Sequence, residues 1–146
     1  MIRAMDAEPE GPGPSALDAF VISLDGEFDL AERTHLLDAF AVTMNTALVV
    51  VDFHKTRYID STVIECLIAF QQTSTRRGAK LVLAGLRPEI RRIFDVCSLD
   101  RIFDIRSKLS DVEDLEAVDA ERLARLTLVA TPIDPEAVKY LWRETR

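Results

Sequence analysis

The chain has 146 residues, 48% hydrophobic and 29% charged, which supplies the core of one soluble domain and leaves length for a tail. A formal net charge of -7 repels phosphate backbones and anionic bilayer surfaces, so neither a nucleic acid nor a membrane is an expected partner. Two cysteines make neither a disulfide framework nor a zinc signature.

Residues 1–16 hold Pro9, Gly11, Pro12, Gly13 and Pro14 and lack both periodicity and the apolar stretch of a secretion signal. They are read as a flexible N-terminal arm ahead of a domain over 17–125, in a protein of the cytoplasm. Ala19-Phe20-Val21-Ile22-Ser23-Leu24 is a run of strand formers closed by the turn pair Asp25-Gly26. Leu36, Leu37, Phe40, Ala41 and Met44 then trace one stripe of a helix over about 31–45. Leu48-Val49-Val50-Val51 has the continuous apolar character of a strand covered on both faces.

Asp52 to Asp60 reads as the exit of that strand and a loop. The most apolar helix starts at Ser61-Thr62, with Val63, Ile64, Cys66, Leu67, Ile68 and Phe70 on its inner side. Arg76-Arg77-Gly78 ends it, with cations suited to the dipole and a glycine free to take a left-handed cap. Lys80–Ala84 is the next strand. Pro88 fits the first position of a third helix, whose stripe is Ile90, Ile93, Phe94 and Cys97. Both cysteines therefore fall on apolar stripes and are expected to be buried and unreactive.

Ile102–Ile105 is a short strand, and Ser110-Asp111-Val112-Glu113 has the form of a capping box. It would open a fourth helix carrying Val112, Leu115 and Val118. Residues 126–146 form a C-terminal extension in which Asp134-Pro135-Glu136 offers the start of a short helix. Strands alternating with helices build an α/β domain with a mainly parallel sheet of four to five strands and about four covering helices.

In such a sheet functional residues sit beyond the carboxyl ends of the strands. Neither phosphate-cradling glycine motif occurs among only five glycines, and no cofactor is expected. His35 and His54 lack metal-ligand spacing. Asp52 resembles a receiver's phospho-acceptor, but the acidic partner that a Mg²⁺ site wants beside Asp25 is Leu24. Ser61 has no nucleophile elbow around it. Ile59-Asp60-Ser61-Thr62 is the exception, placing a carboxylate and two hydroxyls at a helix start. Asp, Ser and Thr are also the ordinary N-caps, each worth ~1 kcal/mol.

The chain from Phe20 to Ile105 resembles the STAS domain of anti-sigma-factor antagonists and sulfate transporters. The likeness is carried by Leu24-Asp25-Gly26-Glu27-Phe28-Asp29, by Val49–Phe53 followed by Tyr58-Ile59-Asp60-Ser61-Thr62, by Arg77–Leu86, and by Pro88–Phe94 with Ser98–Phe103. It departs where Val63-Ile64-Glu65 replace the family's Gly-Leu-Gly and where Ser98 replaces a frequent glycine. The resemblance implies a bacterial, non-enzymatic regulator of transcription. It would bind a kinase-type anti-sigma factor, be released by phosphorylation of Ser61, and be restored by a cognate phosphatase. The implied partner-binding residues are Asp25, Glu27, Asp29, Asp60, Ser61, Thr62 and Glu65, on a monomer or weak homodimer. The alternative is a STAS scaffold or ligand-sensing module outside sigma-factor control.

Overall fold

The computed structural model describes residues 19–43, 45–112, 115, 118 and 120–132; the arm at 1–16, Met44, Glu113 and the helix expected from Asp134 lie outside them. In chain order the elements are β1 (Ala19–Leu24), β2 (Gly26–Phe28), α1 (Arg33–Val42), β3 (Leu48–Asp52), β4 (Thr56–Ile59), α2 (Ser61–Arg76), β5 (Lys80–Ala84), α3 (Pro88–Val96), β6 (Asp104–Arg106), α4 (Ala120–Arg125) and β7 (Thr127–Ala130). Single 3-10 turns stand at Leu30–Glu32, Leu99–Arg101 and Leu109–Asp111. Five strands pair in the order β6-β5-β3-β1-β7, each parallel to its neighbours, which is the α/β sheet the strand–helix alternation predicts.

Side chains alternate across each strand, so one sheet feeds two cores. Ile22, Leu24, Val49, Val51, Leu81 and Leu83 meet the inner faces of α1, α2 and α3. Ala19, Val21, Leu48, Val50, Val82 and Ala84 meet Val112 and Leu115 on the opposite side, flanked by Leu109, Val118 and Leu123. Phe40 of α1 and Phe70 of α2 stack with ring centroids 4.5 Å apart, while Phe94 of α3 packs edge-on to Phe53 at 6.5 Å and Phe103 at 5.8 Å.

Several expectations are corrected. The α1 stripe is narrower than its sequence pattern, because Leu36, Ala39 and Phe40 are buried whereas Leu37 and Ala41 face outward. Ser110 belongs to a 3-10 turn rather than capping an α-helix, and α4 is described from Ala120. Leu115, whose N–H bonds the Val112 carbonyl at 3.0 Å, fills the core between them. Thr127–Ala130, beyond residue 125, form a strand along β1. Thr56–Ile59 is also a strand, too short and too unlike a period-2 pattern to be read locally.

Cys97 is exposed. Only Ile90 and Phe94 of the α3 stripe are buried, and Cys97 stands one residue past the helix, where the chain turns away through Ser98. Ser98 has φ 58°, the left-handed region that costs a residue with a Cβ ~1–2 kcal/mol. That is why glycine suits this position. Ser98→Gly is expected to raise the unfolding free energy by about 1 kcal/mol, read from chemical denaturation.

Cys66 is buried in α2, and burial pushes its thiol above the usual range; Arg33 opposes this shift, while the Glu65 and Asp60 carboxylates reinforce it. Thiol labelling of the native protein should give one fast site, Cys97, and one that reacts only on unfolding, Cys66. Two fast sites would show that the α1–α2 layer opens.

Candidate functional site

Past its last residue β1 turns sharply. Thr56 Oγ1 donates to the Leu24 carbonyl at 2.6 Å, and the Gly26 N–H donates to the Lys55 carbonyl at 3.1 Å. Gly26 sits at φ 125°, and a Cβ there would stand 2.9 Å from Pro132 Cδ, so no other residue fits this turn. The turn launches β2, which pairs in parallel with β4 so that Glu27 lies opposite Tyr58 and Phe28 opposite Ile59. Phe28 and Ile59 point into the core; Glu27 and Tyr58 face solvent.

Both strands run straight into helical starts, and Asp60 serves both. One carboxylate oxygen accepts from the N–H groups of Thr62, at 2.9 Å, and Val63, at 3.3 Å. The other accepts from the N–H of Leu30, at 3.1 Å, in the 3-10 turn that leads into α1. Asp29 caps its own turn by accepting from the Ala31 N–H at 2.9 Å. Asp60 is thus the N-cap of α2, and Ser61 is not: Ser61 occupies the first helical position with its side chain exposed. The backbone N–H groups of Thr62 and Val63 are thus both engaged by Asp60.

Around this cap lie Glu27 and Asp29, both exposed, the half-buried Thr62, and Glu65 one turn along α2 from Ser61. Asp25 is half-buried, and its backbone N–H donates to the Ala130 carbonyl of β7 at 2.9 Å. Leu30 and Tyr58 are 66% and 51% exposed beside Asp60 and Glu27. The sequence marked Tyr58 only as part of the Tyr58–Thr62 stretch and did not mark Leu30, since a leucine opening a helical turn looks like a core residue when read alone. Arg57 adds a loose ion pair to Glu27 at 3.9 Å, exposed and of little energetic weight. The result is an acidic surface with two apolar side chains and a free hydroxyl, suited to docking a protein.

Asp52, the other acid at a strand end, is buried. It accepts from the His54 N–H at 3.1 Å and from the ring Nδ1 at 2.7 Å. A Cβ on Gly85 would stand 2.8 Å from Asp52 Oδ1, so this carboxylate is walled in on that side. Among the described residues no cluster of His, Cys, Asp or Glu could hold a metal ion. No described helix is long and apolar enough to cross a membrane.

The family model described as "Mlab, STAS domain" matches residues 14–109. A STAS-domain containing protein of Pseudomonas aeruginosa (strain UCBPP-PA14) is 26% identical over 103 residues, 70% of this chain and 98% of that protein. Among solved structures, a candidate anti-sigma factor antagonist from Thermotoga maritima superposes with a TM-score of 0.62 at 15% identity, covering 66% of this chain and 86% of that one. A sulfate transporter family protein from Wolinella succinogenes does so with a TM-score of 0.56 at 18% identity, over 82% of this chain and 97% of the other.

Removing the Asp60 carboxylate strips one helix cap and the link to Leu30. Asp60→Ala should therefore cost about 1–2 kcal/mol of stability in denaturant titrations, with faster amide exchange at Leu30, Thr62 and Val63. Asp60→Asn keeps one acceptor oxygen and should restore the α2 cap without the bond to Leu30.

Proposed function

The chain belongs to the STAS-domain family, and from that membership we propose that it is an anti-sigma factor antagonist switched by phosphorylation of Ser61. The unmodified protein binds a kinase-type anti-sigma factor in the cytoplasm and so frees a sigma factor. The partner phosphorylates Ser61 and lets go, and a phosphatase restores the binding form. The domain catalyses nothing itself; it works as a docking surface.

One observation carries this reading: the Ser61 hydroxyl is exposed at a helix start whose cap Asp60 already provides. The hydroxyl is therefore free for modification without loss of the cap. Leu30 and Tyr58 offer exposed apolar groups near the Asp60 cap, and Glu27, Asp29, Thr62 and Glu65 add polar ones. Phosphorylation adds about -1.5 to -2 charges. The helix dipole tolerates them, so the fold persists. Beside the Asp60 carboxylate in a dehydrated contact, however, the added charge costs several kcal/mol of binding.

Calorimetry with the anti-sigma factor tests this. Ser61→Asp and the phosphoprotein should bind ~100-fold or more weakly, each ~1.4 kcal/mol being tenfold. Ser61→Ala should bind normally, escape the switch, and lose less stability than Asp60→Ala. Phosphate mapped to Thr62, or a phosphoprotein that binds as well as the unmodified one, would sink the proposal. Ser74 is buried and should stay unlabelled in the folded protein.

A second reading is a scaffold or ligand-sensing module outside sigma-factor control. It draws on Val63-Ile64-Glu65, where the Val63 side chain is fully buried and Glu65 projects from the docking face. Affinity capture with mass spectrometry separates the two readings by the partner recovered.

A further inference from the structure

The second face of the sheet has a cleft that the docking surface does not use. Its volume is about 640 Å³, within the ~300–1,000 Å³ range of small-molecule sites. Asp52 and Gly85 place its inner end at the carboxyl termini of β3 and β5, where open α/β sheets bind ligands. Leu109, Leu115, Val118 and Leu123 form its apolar wall. Of these, Leu109, Val118 and Leu123 are only partly buried against the second core, so contact with an alkyl chain would remove further apolar surface from water.

Among the described lining residues the polar side chains are four: Asp52, His54, Lys108 and Ser110. An ionised carboxylate only accepts, so Asp52 takes hydrogen bonds from the His54 backbone N–H and from Nδ1–H. This fixes the ring and leaves Nε2 as its unoccupied edge, an acceptor when neutral and a charged donor when protonated. Lys108, at the mouth, has no ion pair among the described residues, whereas its neighbour Arg106 is held bidentately by Asp104. Among the described lining residues the one acid is thus buried and engaged by His54, and Lys108 has no acidic partner.

We propose that this cleft binds a single-chain anionic amphiphile. The alkyl chain lies along Leu109, Val118 and Leu123, and the acid head sits between Lys108 and the His54 Nε2 edge. Among the described lining residues a cationic head would find only Asp52, already engaged; a neutral head would leave Lys108 without a counter-charge. The site shares no residue with the Ser61 surface, so the two proposals stand or fall separately.

Decanoate, below its micelle concentration, is the probe for calorimetry and ¹⁵N–¹H NMR on the full chain, with decanol and decyltrimethylammonium as head-group controls. Decanoate should bind saturably and at least about tenfold more tightly than either control, with shifts centred on His54, Leu109 and Leu123. Lys108 is exposed and its side chain caps nothing, so Lys108→Met should fold normally and weaken decanoate about tenfold, and Lys108→Arg should restore it. Equal affinity for the three heads, no effect of Lys108→Met, or shifts centred on Leu30 and Tyr58 would each overturn the assignment. So would co-sedimentation with anionic-lipid vesicles in the absence of a saturable decanoate site, which would give the cationic rim to a membrane surface.

Discussion

A parallel sheet leaves two apolar faces to be covered, and β3 carries that constraint most fully. It lies between β1 and β5, and all five of its residues from Leu48 to Asp52 are buried. The two coverings are unequal. On one side α1, α2 and α3 form a thick layer bound by the Phe40–Phe70 stack and the Phe53, Phe94 and Phe103 contacts. On the other, among the described residues, stand the 3-10 turn at Leu109–Asp111, the side chains of Val112, Leu115 and Val118, and α4. The cleft lies on this second side.

The same constraint explains where polar groups gather. Parallel strands end together at one edge, and the chain must leave that edge to enter each helix. At β4 the exit brings Asp60 beside the 3-10 turn after β2, so one carboxylate caps α2 and tethers the approach to α1. At β3 it buries Asp52 against Gly85, and His54 folds back to hydrogen-bond the carboxylate. Two acids at neighbouring strand ends thus meet opposite fates. Asp60 organises an exposed surface, and Asp52 holds a histidine at the mouth of a cleft.

Ser61 draws its proposed role from this division. Because Asp60 takes the capping bonds, the serine hydroxyl has no structural task and its chemistry can change without dismantling the helix. Asp60 also holds the Leu30 N–H, so Ser61 stands next to the carboxylate that joins the two helix starts.

Local pattern was enough for much of this molecule. The apolar runs at Ala19–Leu24, Leu48–Val51 and Lys80–Ala84, the stripe of α2 and the proline opening α3 are signals within a few residues, and each became the element it implies. The strand–helix alternation was likewise enough for the α/β class, and Asp60-Ser61-Thr62 marked a helix start by composition alone. Pairing between distant segments decided the rest. Thr56–Ile59 is a strand only because Gly26–Phe28 lies beside it, and Thr127–Ala130 only because β1 offers a free edge. Which of three polar residues caps α2 depends on Leu30, thirty positions away, drawing the carboxylate of Asp60 between two helix starts. The exposure of Cys97, Leu30 and Tyr58 and the cleft under α4 follow from where each layer stops, which no window of sequence contains.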